Sequence, residues 1–155
     1  MISPELLRRY RFFGSLDDAQ LRAIAMNTTE ESFKRGAILF EEGKTAKALY
    51  LLLSGSVDLS FHLDQGNAPK SQRELPVGEI NTGEVFGVSA LVEPHVLTAT
   101  ARAAQDGSLL KIDGPALRRL LEENPRVGHK VMCHVAGVLA ERLHATRVQL
   151  AAARA

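Results

Sequence analysis

The pattern of apolar and polar positions changes twice along the chain and predicts three parts. Up to residue 30, apolar residues recur at helical spacing behind two helix starts. Ser3 stands before a proline, and Asp17 stands three residues before Gln20, which is the spacing of a capping box. We therefore expect helices within residues 1–30.

From residue 31 the period becomes two, as in β-strands. Short apolar runs are separated by turn residues such as Glu42-Gly43-Lys44. The runs cover residues 37–40, 48–53, 56–61, 74–80, 98–103 and 108–112. The polar stretch 64–73 contains a glycine and a proline and predicts an exposed hairpin tip. About eight short strands at this spacing predict an antiparallel barrel or jelly roll.

Helical spacing returns after residue 112. Asp113 is a predicted helix cap, and Asn124 followed by Pro125 starts a second, longer helix. That helix carries two apolar stripes. The first consists of Val127, Val131, Val135 and Val138, and the second of Met132, Val135, Leu139, Leu143 and Leu150. Two stripes predict two contacts, one with the barrel and one with another helix.

The second stripe predicts a homodimer through the C-terminal helix. From residue 125 to residue 150 a helix is about 38 Å long, which is more than one small barrel needs to cover its open side. A second copy would bury the leucines that a monomer leaves in water. Arg142 and Arg147 flank the stripe, where Glu141 of a second copy would offset their charge. The alternative is a helix end that only a downstream domain orders.

Composition narrows the class of protein. A chain of 155 residues, 45% hydrophobic and 24% charged, fits one soluble globular domain over residues 1–155. Its net charge of +1 gives no general attraction to nucleic acid or to an anionic membrane. It contains no signal-peptide run and no long apolar run, and its one cysteine, Cys133, cannot form an internal disulfide. We expect a cytoplasmic protein with no membrane contact.

The stretch 83–103, GEVFGVSALVEPHVLTATARA, contains the main candidate for binding chemistry. Gly83 and Gly87 bracket a short apolar segment, and the next five residues have room for one helical turn before Pro94 ends it. A glycine turn that leads into a short helix leaves backbone N–H groups free, which suits an anion such as a phosphate. The alternative, on these residues alone, is a tight corner of the barrel.

This stretch resembles the phosphate-binding cassette of the cyclic-nucleotide-binding domain family, which includes catabolite activators and regulatory subunits of protein kinase A. The family pattern is G-[DE]-x-F-G-E-x-A-L, then P-R-[ST]-A-T after a few variable residues. It is matched in order by Gly83, Glu84, Phe86, Gly87, Ala90, Leu91, Thr98, Ala99 and Thr100. Upstream, GAILFEEGKTAKALYLLLSGSVDLS resembles the family's β-roll signature, and FFGSLDDAQLRAIA resembles its N-terminal helices.

The resemblance covers residues 10–147 and implies a mainly β fold. We expect an eight-stranded antiparallel β-roll of jelly-roll type over residues 31–112, with the cassette at 83–100. N-terminal helices would occupy residues 1–30, and C-terminal helices residues 113–155.

The chain departs from the family pattern at both charged anchors of the ligand. The glutamate that binds the ribose 2′-hydroxyl falls on Val88, the arginine that pairs with the cyclic phosphate on Leu97, and the proline before it on Val96. A buried phosphate without that arginine loses a contact worth about 1.5–3 kcal/mol. We therefore expect cyclic AMP and cyclic GMP to bind weakly or not at all.

The resemblance also implies a set of residues around a ligand. The backbone N–H groups of 87–90 and the hydroxyl of Thr98 would hold an anion. The predicted ligand-binding residues are Phe86, Gly87, Val88, Ser89, Ala90, Leu97, Thr98 and Ala99.

Two functions remain open at this stage. The first is a regulatory module that senses a small molecule held between the cassette and the long helix. The second is a degenerate module with an empty pocket that serves as a platform for dimerisation or protein docking. Enzyme chemistry has no support, because the chain has no nucleophile elbow, Walker loop or close carboxylate pair, and its scattered histidines predict no metal site. In the family's transcription factors a helix-turn-helix domain follows the long helix; this chain ends at Ala155, so we expect no direct contact with nucleic acid.

Overall fold

The computed structural model describes residues 2–62 and 74–155. This part of the chain contains eight strands: β1 (Thr28–Phe33), β2 (Ile38–Phe40), β3 (Ala48–Ser54), β4 (Val57–His62), β5 (Glu74–Ile80), β6 (Val85–Phe86), β7 (Thr100–Ala103) and β8 (Gly107–Asp113). They form two four-stranded antiparallel sheets, in the orders β1-β8-β3-β6 and β2-β7-β4-β5. The predicted antiparallel β-roll is confirmed.

In the described residues, four α-helices flank the sheets: α1 (Pro4–Arg8), α2 (Asp18–Ala25), α3 (Gly114–Glu123) and α4 (Pro125–Arg154). Their starts follow the predicted caps. Asp17 and Gln20 bond reciprocally, each accepting from the other's backbone N–H, at 2.8 and 2.9 Å. The side chain of Asp113 accepts from the backbone N–H of Ala116 at 2.9 Å. Within the described residues, no helix is long and apolar enough to span a membrane.

The start of the β-roll and the start of β7 differ most from the prediction. The roll begins at Thr28, not at residue 31, with β1, a strand that the sequence pattern did not predict. Thr28 is buried, donates its hydroxyl to the carbonyl oxygen of Ile24 at 2.7 Å, and pairs with Ile112 of β8. β7 begins at Thr100, not at residue 98, because residues 95–97 pair with the loop 43–46 instead. The predicted hairpin tip at 64–73 lies outside the described residues.

Alternation along β3 divides the core into two layers. Leu49 and Leu51 face the helices and pack with residues of α1, α2 and α4, forming what we call the helix-side core. Tyr50 and Leu52 face the opposite way, into the space between the two sheets, which we call the roll interior. The strand therefore joins both layers, as the period of two requires.

The two stripes of α4 have different environments. Val127, Val131 and Val135 are buried in the helix-side core, and Val138 packs against it. Met132, Leu139, Leu143 and Leu150 are exposed in the described chain. The first stripe thus makes the contact with the barrel that the sequence predicts, and most of the second stripe is exposed beside it.

Candidate functional site

The cassette contains a single turn of 3₁₀ helix over Val88–Leu91. Gly87 precedes it in the left-handed region, with φ 72°. A Cβ at this position would lie 2.8 Å from Cδ2 of Tyr50 and 3.3 Å from the carbonyl oxygen of Ala48. The position therefore requires glycine for both its conformation and its space.

The structure separates the two positions at which the resemblance places charged anchors. Val88 is 7% exposed and packs in the helix-side core. Leu97 is 6% exposed and packs with Ala46 and Ala90, against partly buried Phe40. Both side chains therefore lie in apolar surroundings, in different clusters.

The other predicted ligand-binding residues are also spread over several environments. Phe86 lies in the roll interior, and partly buried Ala99 packs against the apolar cluster of that interior. Thr98 is exposed and Ser89 is half-buried. The structure therefore brings Ala90 and Leu97 together but does not gather all eight predicted residues around one space.

Backbone donors near the cassette are partly occupied. The N–H of Ala90 donates to the carbonyl oxygen of Gly87 at 3.1 Å, within the 3₁₀ turn. The N–H of Leu97 donates to the carbonyl oxygen of Lys44 at 2.9 Å. Of the backbone N–H groups of 87–90 predicted to bind an anion, that of Ala90 is therefore already in use, because it bonds within the 3₁₀ turn.

Three aromatic rings occupy the roll interior beside the cassette. The ring centroids of Phe40, Tyr50 and Phe86 lie 5.2 to 5.9 Å from one another. Burial raises the pKa of Tyr50, and the negative charge of Glu31 raises it further. The interior at this point is therefore apolar and filled by side chains.

A cavity of about 540 Å³ lies between α4 and strands β4, β5 and β6. Its lining includes the first cassette residues, Gly83, Glu84 and Val85, but none of the eight predicted ligand-binding residues. Its apolar wall is formed by Phe12, Leu59, Ile80 and Val138. The cavity thus adjoins both the cassette and the long helix, although it lies away from the phosphate turn.

Gly137 lines the same cavity from α4, and a Cβ added there would meet no atom within 4 Å. A glycine inside a long helix costs about 1 kcal/mol relative to alanine. Gly128 interrupts the same helix but does not line the cavity, so a helical glycine alone could not have located it in the sequence.

Arg142 is the charged group that points from α4 to the cassette. Its guanidinium donates a hydrogen bond to the carbonyl oxygen of Val85. Burial lowers the pKa of Arg142, and the carboxylates of Glu84 and Glu141 act in the opposite direction. Arg142 and Arg147 are the two arginines predicted to flank the second stripe of α4. Arg142 is half-buried because it turns toward the cassette, so Arg147 is the one that is fully exposed.

A second arginine, on α3, bonds to the 3₁₀ turn itself. Arg118 of α3 donates to the carbonyl oxygen of Ala90 at 2.7 Å. The two C-terminal helices therefore each bind one backbone carbonyl of the segment 85–90. Sequence reasoning missed both contacts, which join residues 28 and 57 positions apart.

Comparison with known proteins gives a consistent result. The model of the cyclic nucleotide-binding domain family matches residues 30–124. A CRP-like cAMP-activated global transcriptional regulator of Mycobacterium tuberculosis is 25% identical over 147 residues, covering 95% of this chain and 61% of the relative. The cyclic AMP receptor protein of Thermus thermophilus is 30% identical over 118 residues, covering 76% of this chain and 50% of the relative. The chain thus spans about three fifths or less of the length of these curated relatives.

Solved structures agree with the fold. A crystal structure described as a putative cyclic nucleotide-binding protein from Geobacter metallireducens is 40% identical, with a TM-score of 0.81, and the match covers 93% of this chain and 100% of that one. The sensor domain of the transcriptional regulator DNR from Pseudomonas aeruginosa has a TM-score of 0.72 at 22% identity, covering 90% and 95% of the two chains. The second likeness supports the fold alone.

Proposed function

This chain belongs to the cyclic nucleotide-binding domain family, and we propose that it is a small-molecule-sensing regulatory module whose binding of cyclic nucleotides is altered or lost. The observation that carries the proposal is the packing of Leu97. Where the family pattern has a phosphate-binding arginine, this leucine is buried against Ala46 and Ala90. We propose no catalytic role, since the curated relatives above are named as a transcriptional regulator and a cyclic AMP receptor protein.

The energetic argument follows from the charge of the ligand. A cyclic phosphate placed in the family position would lie beside buried apolar side chains, without a charge-assisted partner. Losing such a partner costs about 1.5–3 kcal/mol, and the surrounding apolar atoms also exclude the water that would otherwise solvate the charge. Val88 adds to this loss, because it offers no acceptor to a ribose hydroxyl.

The cavity beside α4 is the place for a ligand in this proposal. It touches the start of the cassette on one side and the long helix on the other, so a ligand there would contact both elements. A ligand that binds one position of α4 better than another shifts the population of that position by its difference in affinity. The long helix would then carry the signal.

Titration calorimetry with cyclic AMP and cyclic GMP at moderate salt tests the proposal. We expect a dissociation constant above about 10 μM for both, which corresponds to a binding free energy weaker than about −7 kcal/mol. A dissociation constant below that value for either nucleotide would overturn the proposed loss. Adenosine and guanosine serve as matched ligands without phosphate, and we expect them to bind no more weakly than the cyclic nucleotides.

The exposed stripe on α4 favours a second candidate, a dimerisation or docking platform. Leu139 is 44% exposed and Leu143 is 50% exposed. In this candidate the module pairs with a second copy through α4, and its cassette is only part of the core. The two candidates are compatible if the ligand cavity regulates the pairing.

A further inference from the structure

The cavity beside α4 combines an apolar wall with a desolvated cation. Phe12, Leu59, Ile80 and Val138 supply the wall, and Arg142 lines the same space. Burying a guanidinium without an anionic partner is costly, because the charge loses part of its hydration. Arg142 is nevertheless half-buried beside this wall, with its guanidinium bonded to a neutral carbonyl oxygen.

Arg142 has unused hydrogen-bonding capacity. A guanidinium has five N–H donors, and within the described residues the one side-chain hydrogen bond of Arg142 is to the Val85 carbonyl oxygen. None of the ion pairs in the described part of the chain includes it. The remaining donors form a planar fork, whose geometry matches a carboxylate.

The acidic residues that line the cavity do not fill this role. Glu79, Glu84 and Glu141 are all exposed, so water screens their charges. The carboxylate of Glu84 accepts from the backbone N–H of Asn81 at 2.6 Å, which holds it in a local turn. Arg11 adds a second cation to the cavity lining.

We propose that this cavity binds a small organic anion, with its apolar body against Phe12, Ile80 and Val138 and its carboxylate on the guanidinium of Arg142. This inference rests on the proposed sensor function and names the ligand class of its site. The anion is held from the long helix, not from the phosphate turn of the cassette. A cavity of about 540 Å³ lies in the usual range for sites that take such ligands.

Binding in this way would also act on the contact between α4 and β6. A carboxylate on the unused donors of Arg142 leaves the hydrogen bond to the Val85 carbonyl oxygen in place. It gives the guanidinium an anionic partner and so holds the side chain in the position that links α4 to the cassette. Within the described residues, this is the one side chain of α4 that is bonded to the cassette.

The test uses three probes that share a naphthalene body and differ in the polar group and its charge: 2-naphthoate, 2-naphthamide and 2-naphthylmethylammonium. Each is titrated into the full chain by calorimetry at fixed moderate salt. We expect 2-naphthoate to bind with a submillimolar dissociation constant, at least tenfold tighter than the amide and tighter still than the cation. Equal affinities, a preference for the cation, or no binding of any probe up to 5 mM would each overturn the proposal.

Variants assign the preference to the site. Arg142→Gln keeps most of the side-chain length and should abolish the tenfold preference for naphthoate, whereas Arg142→Lys should retain part of it. Arg147→Gln is the matched control, since Arg147 is exposed on the same helix outside the cavity lining. A preference that survives Arg142→Gln, or is lost equally in Arg147→Gln, would overturn the assignment.

Gly137→Leu gives an independent variant that fills the cavity. An added Cβ meets no atom within 4 Å, and leucine favours the helix more than glycine does. We expect both naphthoate and naphthamide to bind at least tenfold more weakly to this variant, with an unchanged or higher melting temperature. Unchanged binding would place the probes elsewhere and overturn the proposal. The cyclic-nucleotide titration is separate, so either hypothesis can fail while the other stands.

Discussion

The guanidinium of Arg118 donates a hydrogen bond to the carbonyl oxygen of Ala90 at 2.7 Å. Arg118 lies on α3 and is half-buried, while Ala90 is fully buried in the 3₁₀ turn of the cassette. A cation at the C-terminal end of a helical turn meets carbonyl groups that have no partner within the turn. This bond fixes the turn to the C-terminal helices independently of any ligand.

We expect Arg118→Met to lower the free energy of unfolding by about 1.5–3 kcal/mol, because the variant leaves a buried carbonyl without its charged donor. Arg119→Met is the matched control on the same helix; Arg119 is exposed, and its loss should change the stability by less than about 0.5 kcal/mol. Urea denaturation with an unchanged m-value measures both. Equal losses in the two variants would show that the bond to Ala90 adds nothing.

Local signals in the sequence predicted much of the fold. The cap at Asp17 and the start at Pro125 depend on neighbouring residues, and the structure has both. β1 was missed because four of its six residues are exposed, so TTEESF has no alternating apolar pattern. β6 was missed because it is only two residues long.

The site was harder to predict than the fold, because its contacts are not local. Nothing near Arg142 in the sequence indicates that its guanidinium reaches Val85, 57 positions earlier. The cassette pattern located the 3₁₀ turn and the departures at Val88 and Leu97. It could not show that these two side chains would pack into different clusters, because that depends on how the sheets and helices meet.

The double variant Val88→Glu, Leu97→Arg restores both charged positions of the family pattern. We expect it to melt at a lower temperature than the parent when empty, because two charges enter buried apolar clusters. Millimolar cyclic AMP should raise the melting temperature again if the restored groups bind it. Val96→Arg is the control, since Val96 is exposed next to Leu97 and should show neither effect. A double variant that nucleotide does not rescue would favour the docking platform.

Tyr50 predicts a specific alkaline instability. Burial raises the pKa of its hydroxyl above the usual value of about 10. Below the usual tyrosine pKa, Tyr50 is protonated in both states and its contribution to the free energy of unfolding is complete. As the pH rises toward the folded pKa, the free energy of unfolding falls, because the unfolded chain then releases a proton that folded Tyr50 keeps. Tyr50→Phe should therefore lose less stability between pH 9 and pH 11 than the parent or Tyr10→Phe, as measured by urea denaturation. Parallel pH profiles for all three proteins would contradict this expectation.

Glutamates placed on the second, exposed stripe of α4 test the predicted homodimer. Light scattering at 100 μM should give a dimer for the parent chain and a monomer for Leu139→Glu, Leu143→Glu, because each leucine buried in a pairing contributes about 1.5–3 kcal/mol. His144→Glu introduces one of the two added charges one position further around the helix, and we expect it to remain dimeric. A parent chain that is monomeric at this concentration would refute the dimer.

The edges of the two sheets bear on how the protein behaves in concentrated solution. Of the edge strands in the described chain, β6 has two residues and β2 has three, with an irregular register against β7. β5 carries Pro76, which cannot donate to a new neighbour, opposite an irregularity after Leu59. β1 is longer but presents Glu30 and Glu31. Among the described residues, therefore, no edge strand offers an incoming strand a long, flat edge to extend, which is how β-sheet proteins limit edge-to-edge aggregation.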